Sequence, residues 1–390
     1  MNRYPESKLP EVGTTIFTVM SRLASECEAI NLSQGFPSFD PPQALRELVA
    51  HYVEHGNNQY APMPGVPALC EAIADKVAAL QGRRPCPESE VTVTSGATEG
   101  LFSAIQALVR PGDEVIVFDP AYDSYAPAVR LAGGRTVHVP LTTGRIGLDY
   151  EMDWQRLEDA IANTTRLVVC NFPHNPTGML LGREDLDRLA DIVRGTDVLL
   201  LADEVYEHIV FDGREHVSLL SHDELWPRSI VVSSFGKTFH ATGWKVGYCI
   251  APRPLTGEFR KVHQFTVFAV NTPVQQALAD FLASDPEFYA RLPGFYEAKR
   301  DRFCELLRER TAFRLVPARS TFFQLVDYSE LSDEADTALA ERWTREAGVA
   351  SIPLSVFSES PTDARHLRFC FAKDDETLED AVNRLSGLGR

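Results

Sequence analysis

The chain contains no C-x-x-C pair, and its seven cysteines (27, 70, 86, 170, 249, 304 and 370) lie far apart. Such spacing builds neither a disulfide framework nor a zinc finger, and an odd, scattered set fits reduced thiols. Positive charge is also short: 38 Lys and Arg stand against 55 Asp and Glu, a formal net charge of −17. Nucleic-acid binding by phosphate neutralisation needs a basic face, so that class is excluded. No apolar run approaches the roughly 20 residues of a membrane span; Val198-Leu-Leu-Leu-Ala202 is only strand-sized. The opening Met1-Asn-Arg-Tyr-Pro-Glu-Ser-Lys lacks an apolar signal core, which sets the expectation of a cytoplasmic protein. Neither G-x-G-x-x-G nor G-x-x-x-x-G-K occurs, so the dinucleotide and P-loop fingerprints are missing. No repeat or low-complexity tract is present.

What is present is an ordinary globular composition, 44% hydrophobic and 24% charged, over 390 residues, enough for two domains. From Glu90 onward, short Val/Ile/Leu runs alternate with helical spacings. The runs begin at Val91, Glu114, Thr136, Arg166, Val198, Ile230 and Val246. Continuous apolar strands alternating with helices predict a mostly parallel sheet covered on both faces, an α/β fold. In such sheets the site lies beyond the carboxyl ends of the strands. The last third changes to an α+β pattern: a long charged helix over Asp285–Arg310, strands over Thr321–Val326 and His366–Ala372, and helices over Asp336–Ala347 and Glu376–Leu388. The expected division is an arm and part of the small domain at 1–44, a large domain at 45–284 and a small domain at 285–390.

The candidate chemistry sits at the ends of the predicted strands. Ser229-Ile-Val-Val-Val-Ser runs into Ser233-Ser-Phe-Gly-Lys237, which places an amine on a turn, where it can form a Schiff base. Ser95-Gly-Ala-Thr98 lies between a strand and a helix, where free backbone N–H groups favour an anion; a plain helix cap explains it equally well. Asp203 closes the most apolar strand, and a carboxylate there needs a partner or a cap role. Tyr206 follows three residues later. Asn175 stands in the turn Pro173-His-Asn-Pro-Thr-Gly178, and Tyr122 in Asp119-Pro-Ala-Tyr-Asp. Ser234 and Lys245 flank Lys237. Arg368 is a charge inside Leu367-Arg-Phe-Cys-Phe, suited to a carboxylate ligand or to an internal acid. Each of these has an ordinary structural explanation alone. Together they supply an amine, a partner for a ring nitrogen, two donors to a phenolate, a phosphate cup and a carboxylate clamp.

These stretches, from Asn31-Leu-Ser-Gln-Gly-Phe-Pro to Arg368-Phe-Cys-Phe-Ala-Lys, resemble the fold-type I, class I/II aminotransferases that use pyridoxal 5′-phosphate. Within that group the chain is most similar to bacterial methionine aminotransferases and to kynurenine/glutamine transaminases. The resemblance implies that Lys237 carries the cofactor covalently and moves the proton between the substrate's Cα and the cofactor. It pairs Asp203 with the pyridinium and sets Asn175 and Tyr206 on the phenolic oxygen. Tyr122 stacks on the ring, and Ala97, Thr98, Ser234 and Lys245 hold the phosphate. Arg368 and Asn175 bind the substrate carboxylate, with the Gly35 backbone close by. Tyr60 reaches a partner subunit's phosphate and Phe268 a partner's side-chain pocket, which implies a homodimer with shared sites. Where the kynurenine enzymes carry an arm tryptophan, this chain has Gly13-Thr-Thr-Ile-Phe-Thr, so Ile16 or Phe17 faces the substrate. That favours a narrower apolar side chain such as methionine over kynurenine. The alternative is a kynurenine/glutamine transaminase with cysteine-S-conjugate β-lyase activity. A ligand-sensing regulator on the same fold is disfavoured by the acidic charge. The effect of His240 on specificity has no derivation from sequence.

Overall fold

The computed structural model describes residues 5–143, 147–359 and 364–389. Seven strands form its main sheet: β1 (Val91–Thr94), β2 (Glu114–Asp119), β3 (Arg135–Pro140), β4 (Thr165–Asn171), β5 (Leu199–Asp203), β6 (Ser229–Ser234) and β7 (Gly247–Ile250). They lie in the order β1-β7-β6-β5-β4-β2-β3. Neighbours from β6 to β3 are parallel, whereas β7 runs antiparallel to both β6 and β1. The carboxyl ends of six strands therefore share one edge of the sheet, and the amino end of β7 joins them there.

Both faces of this sheet are buried, which is why its strands read as unbroken apolar runs. Val115, Val117, Leu167, Val169, Leu201 and Ile230 pack on one side, with the helix Gly96–Leu108. Ile116, Val168, Leu200 and Val231 pack on the other and belong to the larger core. The alternation is the period-2 geometry of a strand.

A smaller α+β unit is built on β8 (Phe323–Asp327), β9 (Ile352–Pro353) and β10 (His366–Cys370), antiparallel in the order β8-β10-β9. The helices Phe288–Arg310, Asp336–Glu346 and Asp375–Leu385 accompany it. Ile30–Asn31 pairs in parallel with Val349–Ala350, so the N-terminal arm is tied to this unit.

Several local expectations change. The helix expected from Leu101 begins at Gly96, so Ser95–Gly100 is a cap and first turn rather than a loop. Gly96 has φ +73°, a conformation that hides the helix start from propensity reasoning. Lys237 lies in a one-turn helix, Phe235–Thr238, rather than on a turn. The long helix starts at Phe288 instead of Asp285 and continues through Pro293. The strand expected from Thr321 starts at Phe323, because Thr321 itself is left-handed at φ +65°. Two helices are without a sequence expectation: Arg253–Thr266 packs on the helix Gly96–Leu108 and on β1, and Thr272–Ser284 packs on the helices Gln43–Glu54 and Pro67–Gln81.

Candidate active site

The carboxyl edge of the main sheet opens into a cavity of about 400 Å³. Gly35, Ala97, Thr98, Tyr122, Asn175, Asp203, Tyr206, Ser234, Lys237 and Lys245 all line it. Strand register explains the convergence. Asn171 pairs with Asp203 across β4 and β5, and Gly247 pairs with both Thr94 and Ser234 across β7. Lys245 arrives from the opposite chain direction because β7 is antiparallel.

Lys237 donates from Nζ to the Gly35 carbonyl at 2.8 Å, and its amine sits 5.5 Å from the Tyr206 ring centre. Burial, helped by the Arg368 charge and opposed by Asp203, pushes this amine down to about 8. A lysine so placed is partly neutral at physiological pH and therefore nucleophilic.

Asp203 is 4% exposed. Its Oδ2 accepts the Tyr125 hydroxyl at 2.6 Å, while Oδ1 is buried with no hydrogen-bond partner. Burial raises its carboxyl to about 6 against the lowering effect of the Tyr125 bond. A buried carboxylate oxygen without a protein partner, beside a lysine amine, is what a protonated pyridine nitrogen would complete. On that test the residues present fit pyridoxal 5′-phosphate.

Arg368 is fully buried on β10 and makes no ion pair among the described residues. Nη1 donates to the Asn175 side-chain oxygen at 2.8 Å, Nη2 donates to the Ser33 carbonyl at 3.0 Å, and Nε has no partner. Phe323 lies 4.0 Å from the guanidinium, with Phe17 at 5.4 Å and Phe357 at 5.5 Å. Burial lowers its ordinary value to about 10, which still leaves it charged at neutral pH. An internal acid is therefore not its partner among the described residues, and a carboxylate ligand would satisfy it.

The first turn of the helix Gly96–Leu108 offers an edge that could hold an anion. The Ser95 side chain makes no capping bond, so the plain-cap explanation fails there. The N–H groups of Gly96, Ala97 and Thr98 have no intrahelical acceptor. A Cβ on Gly96 would meet Lys245 Nζ at 3.1 Å, and a Cβ on Gly247 would meet the Ala97 nitrogen at 2.9 Å and the Ser233 carbonyl at 2.6 Å. Glycine at both positions lets Lys245 and two backbones close around one small volume.

The remaining expectations fall around or outside the cavity. Phe17 does not line the cavity; its ring lies tilted against Tyr122, 6.4 Å between centroids, and 5.4 Å from the Arg368 guanidinium. Tyr60 is 83% exposed and Phe268 50% exposed; their rings meet edge-on at 5.3 Å, and neither lines this chain's own cavity. His240 lies away from the cavity, its Nδ1 on the Tyr296 hydroxyl at 3.0 Å and its ring edge-on to Phe39. Burial lowers it to about 4. Two residues without a sequence expectation enter the site. Tyr125 reaches Asp203, and Asn171 donates from Nδ2 to the Asp203 carbonyl while its Oδ1 accepts the Asn175 N–H. Neither has a local sequence signal; Tyr122 lies before the helix Tyr125–Leu131, so its spacing to Tyr125 carries none.

Residues 28–385 match the family model of class I and II aminotransferases. A methionine aminotransferase of Escherichia coli is 51% identical over 384 residues, 98% of each chain. A probable N-succinyldiaminopimelate aminotransferase of Mycobacterium tuberculosis is 37% identical over 98% of each chain. The crystal structure of an Escherichia coli protein, YbdL, with an identified methionine aminotransferase function superposes with a TM-score of 0.95 at 51% identity, over 99% of this chain and 100% of that one.

Proposed function

The chain belongs to the class I and II aminotransferases, and from that premise we propose that it moves the amino group of an apolar L-amino acid, methionine foremost, to a 2-oxo acid. The observation that carries this reading is one cavity lined by the Lys237 amine, by Asp203 with a carboxylate oxygen lacking a partner, and by Asn175, whose side-chain oxygen accepts from the buried Arg368, itself without a counter-ion among the described residues. When bound, pyridoxal 5′-phosphate supplies an electrophilic carbonyl and a ring that draws negative charge away from the substrate's Cα.

The residues divide the remaining work. Lys237 offers the amine that holds the cofactor, and once freed its Nζ takes a proton from the substrate's Cα and returns one. Asp203 keeps a negative charge for the ring nitrogen, oriented by Tyr125 and Asn171. Asn175 and Tyr206 donate to the phenolic oxygen, and Tyr122 covers the ring face. Ala97, Thr98, Ser234 and Lys245 take the phosphate. Arg368 and Asn175, already joined, take the α-carboxylate beside Gly35. The Phe17 ring, beside Tyr122 and Arg368, is assigned to the substrate's side chain, where a thioether makes favourable sulfur–ring contacts.

We further infer a homodimer in which Tyr60 and Phe268 enter the partner's site. Their exposure beside each other, outside their own cavity, supports this. A sedimentation series with Tyr60→Ala and Phe268→Ala should show weaker association; a wild-type monomer at all concentrations would refute it. The three-part division at 44/45 and 284/285 belongs to the same reading. So does a cytoplasmic location, which the seven free thiols favour; among the described residues no helix is long and apolar enough to cross a membrane.

The test is a donor screen against several 2-oxo acids. Methionine should give the highest kcat/KM and aspartate one of the lowest. A higher value for kynurenine, with pyruvate and ammonia released from cysteine S-conjugates, would favour the alternative activity.

A further inference from the structure

Behind the anion-binding turn lies a buried acid that the reaction does not use. Glu99 directly follows Thr98. Its Oε2 accepts the Ser95 backbone N–H at 3.1 Å, and its Oε1 accepts the Ser103 hydroxyl at 2.6 Å. The same Oε1 meets His263 Nδ1 at 3.0 Å. Glu99 does not line the cavity, and its side chain is 9% exposed. A carboxylate thus sits within one turn of the N–H groups proposed to take a phosphate. Both anions draw on the same helix terminus, and at low local dielectric their repulsion is large.

His263 is the group set against that repulsion. It is fully buried in the last turn of the helix Arg253–Thr266, where the helix dipole favours positive charge. Its Nε2 meets the Met63 carbonyl at 3.3 Å. Both ring nitrogens therefore face oxygen atoms. The ring stacks on Phe259 at an interplanar angle of 13°, and the His263 carbonyl accepts the N–H groups of Val267 and Phe268. The Phe259 stack and the two nitrogen contacts hold the imidazole in this orientation.

We propose that His263 and Glu99 are a positioning pair for the phosphate cradle. Glu99 fixes the Ser95 turn by holding its N–H, and His263 holds the Glu99 charge on the side away from the cavity. The pair thereby sets the selectivity of the site for a phosphorylated over an unphosphorylated pyridoxal. Neither residue touches the cofactor. This inference rests on the proposed pyridoxal-phosphate site.

The test compares binding of pyridoxal 5′-phosphate and of pyridoxal to the full-length apoprotein, by absorbance titration. His263→Phe keeps the stacking ring and removes both nitrogens. It should lower the ratio of the two affinities about tenfold or more, with pyridoxal affinity itself changed by less than about twofold. The double variant His263→Phe/Glu99→Gln removes the stranded charge and should bring the ratio back to within about threefold of wild type. A role confined to packing would weaken both ligands together and show no rescue, and either result overturns the proposal. If His263→Phe does not fold, Glu99→Gln alone decides: the ratio should stay or rise, and a fall contradicts the proposal. A wild-type protein that does not prefer the phosphorylated ligand would instead defeat the cofactor reading, and this inference with it.

Discussion

The Tyr125 hydroxyl donates to Asp203 Oδ2 at 2.6 Å and leaves Oδ1 of the same carboxylate buried and unpartnered. The contact joins residues 78 positions apart, from the first turn of one helix to the end of β5. It orients the acid that, among the described residues, lines the cavity.

Removing that bond should be felt in pH dependence. Burial raises the Asp203 carboxyl to about 6, and Tyr125 works against that rise. Tyr125→Phe therefore moves the carboxyl higher and narrows the pH range in which it is ionised. Cofactor affinity at pH 7 should fall about three- to tenfold, and the deficit should close by about pH 8.5. Titration of apoprotein across pH checks it; a pH-independent deficit would point to packing.

The Lys237 amine, lowered by burial to about 8 with help from Arg368, should set the rate of cofactor capture. Capture needs the neutral amine, so the rate should rise with pH through a midpoint near 8. Arg368→Met removes a charge that lowers Lys237, and the midpoint should move up. Stopped-flow absorbance of apoprotein mixed with pyridoxal 5′-phosphate measures both.

Gly247 is predicted to be intolerant where Gly243 is not. A Cβ at 247 meets backbone on two sides, whereas one at 243 meets nothing within 4 Å. Gly247→Ala should cost at least about tenfold in cofactor affinity and about 1–3 kcal/mol in stability, and Gly243→Ala neither. Thermal melts and affinity titrations of the two variants make the comparison.

A buried ion pair behind β6 supports the site from below. Glu207 accepts from Lys76 at 2.7 Å, from Tyr248 at 2.7 Å and from Ser233, the neighbour of Ser234. Burial pushes the Glu207 carboxyl up, but the Lys76 charge and the Lys76 and Ser233 bonds outweigh it and hold it well below the usual range. Lys76→Met strands that charge and should cost about 3–5 kcal/mol. Because the folded value is depressed, the wild-type contribution is present above the ordinary glutamate range and is lost as pH falls. Urea melts at several pH values test the sign.

How far the sequence speaks depends on the range of the interaction. Strands such as Leu199–Asp203 are legible because burial on both faces leaves no polar position, and Asp203 stands out as the break in that run. Lys237 and Asn175 are legible because they follow strands directly. The antiparallel direction of Gly247–Ile250 is not, since side-chain pattern carries no strand polarity. The helix Arg253–Thr266 buries only Thr256, Phe259 and His263, too thin a stripe to stand out from its charged face. Contacts such as Tyr125–Asp203 and Glu99–His263 are made by the fold and have no local signature.

The central claim is that Lys237, and not the nearby Lys245, is the covalent residue. Borohydride reduction of the protein loaded with pyridoxal 5′-phosphate, followed by peptide mass mapping, tests it most directly. The account predicts a single reduced adduct on Lys237, absent in Lys237→Ala while Lys245→Gln retains it. An adduct on Lys245 in the wild type, or amino-group transfer at an undiminished rate in Lys237→Ala, would contradict it.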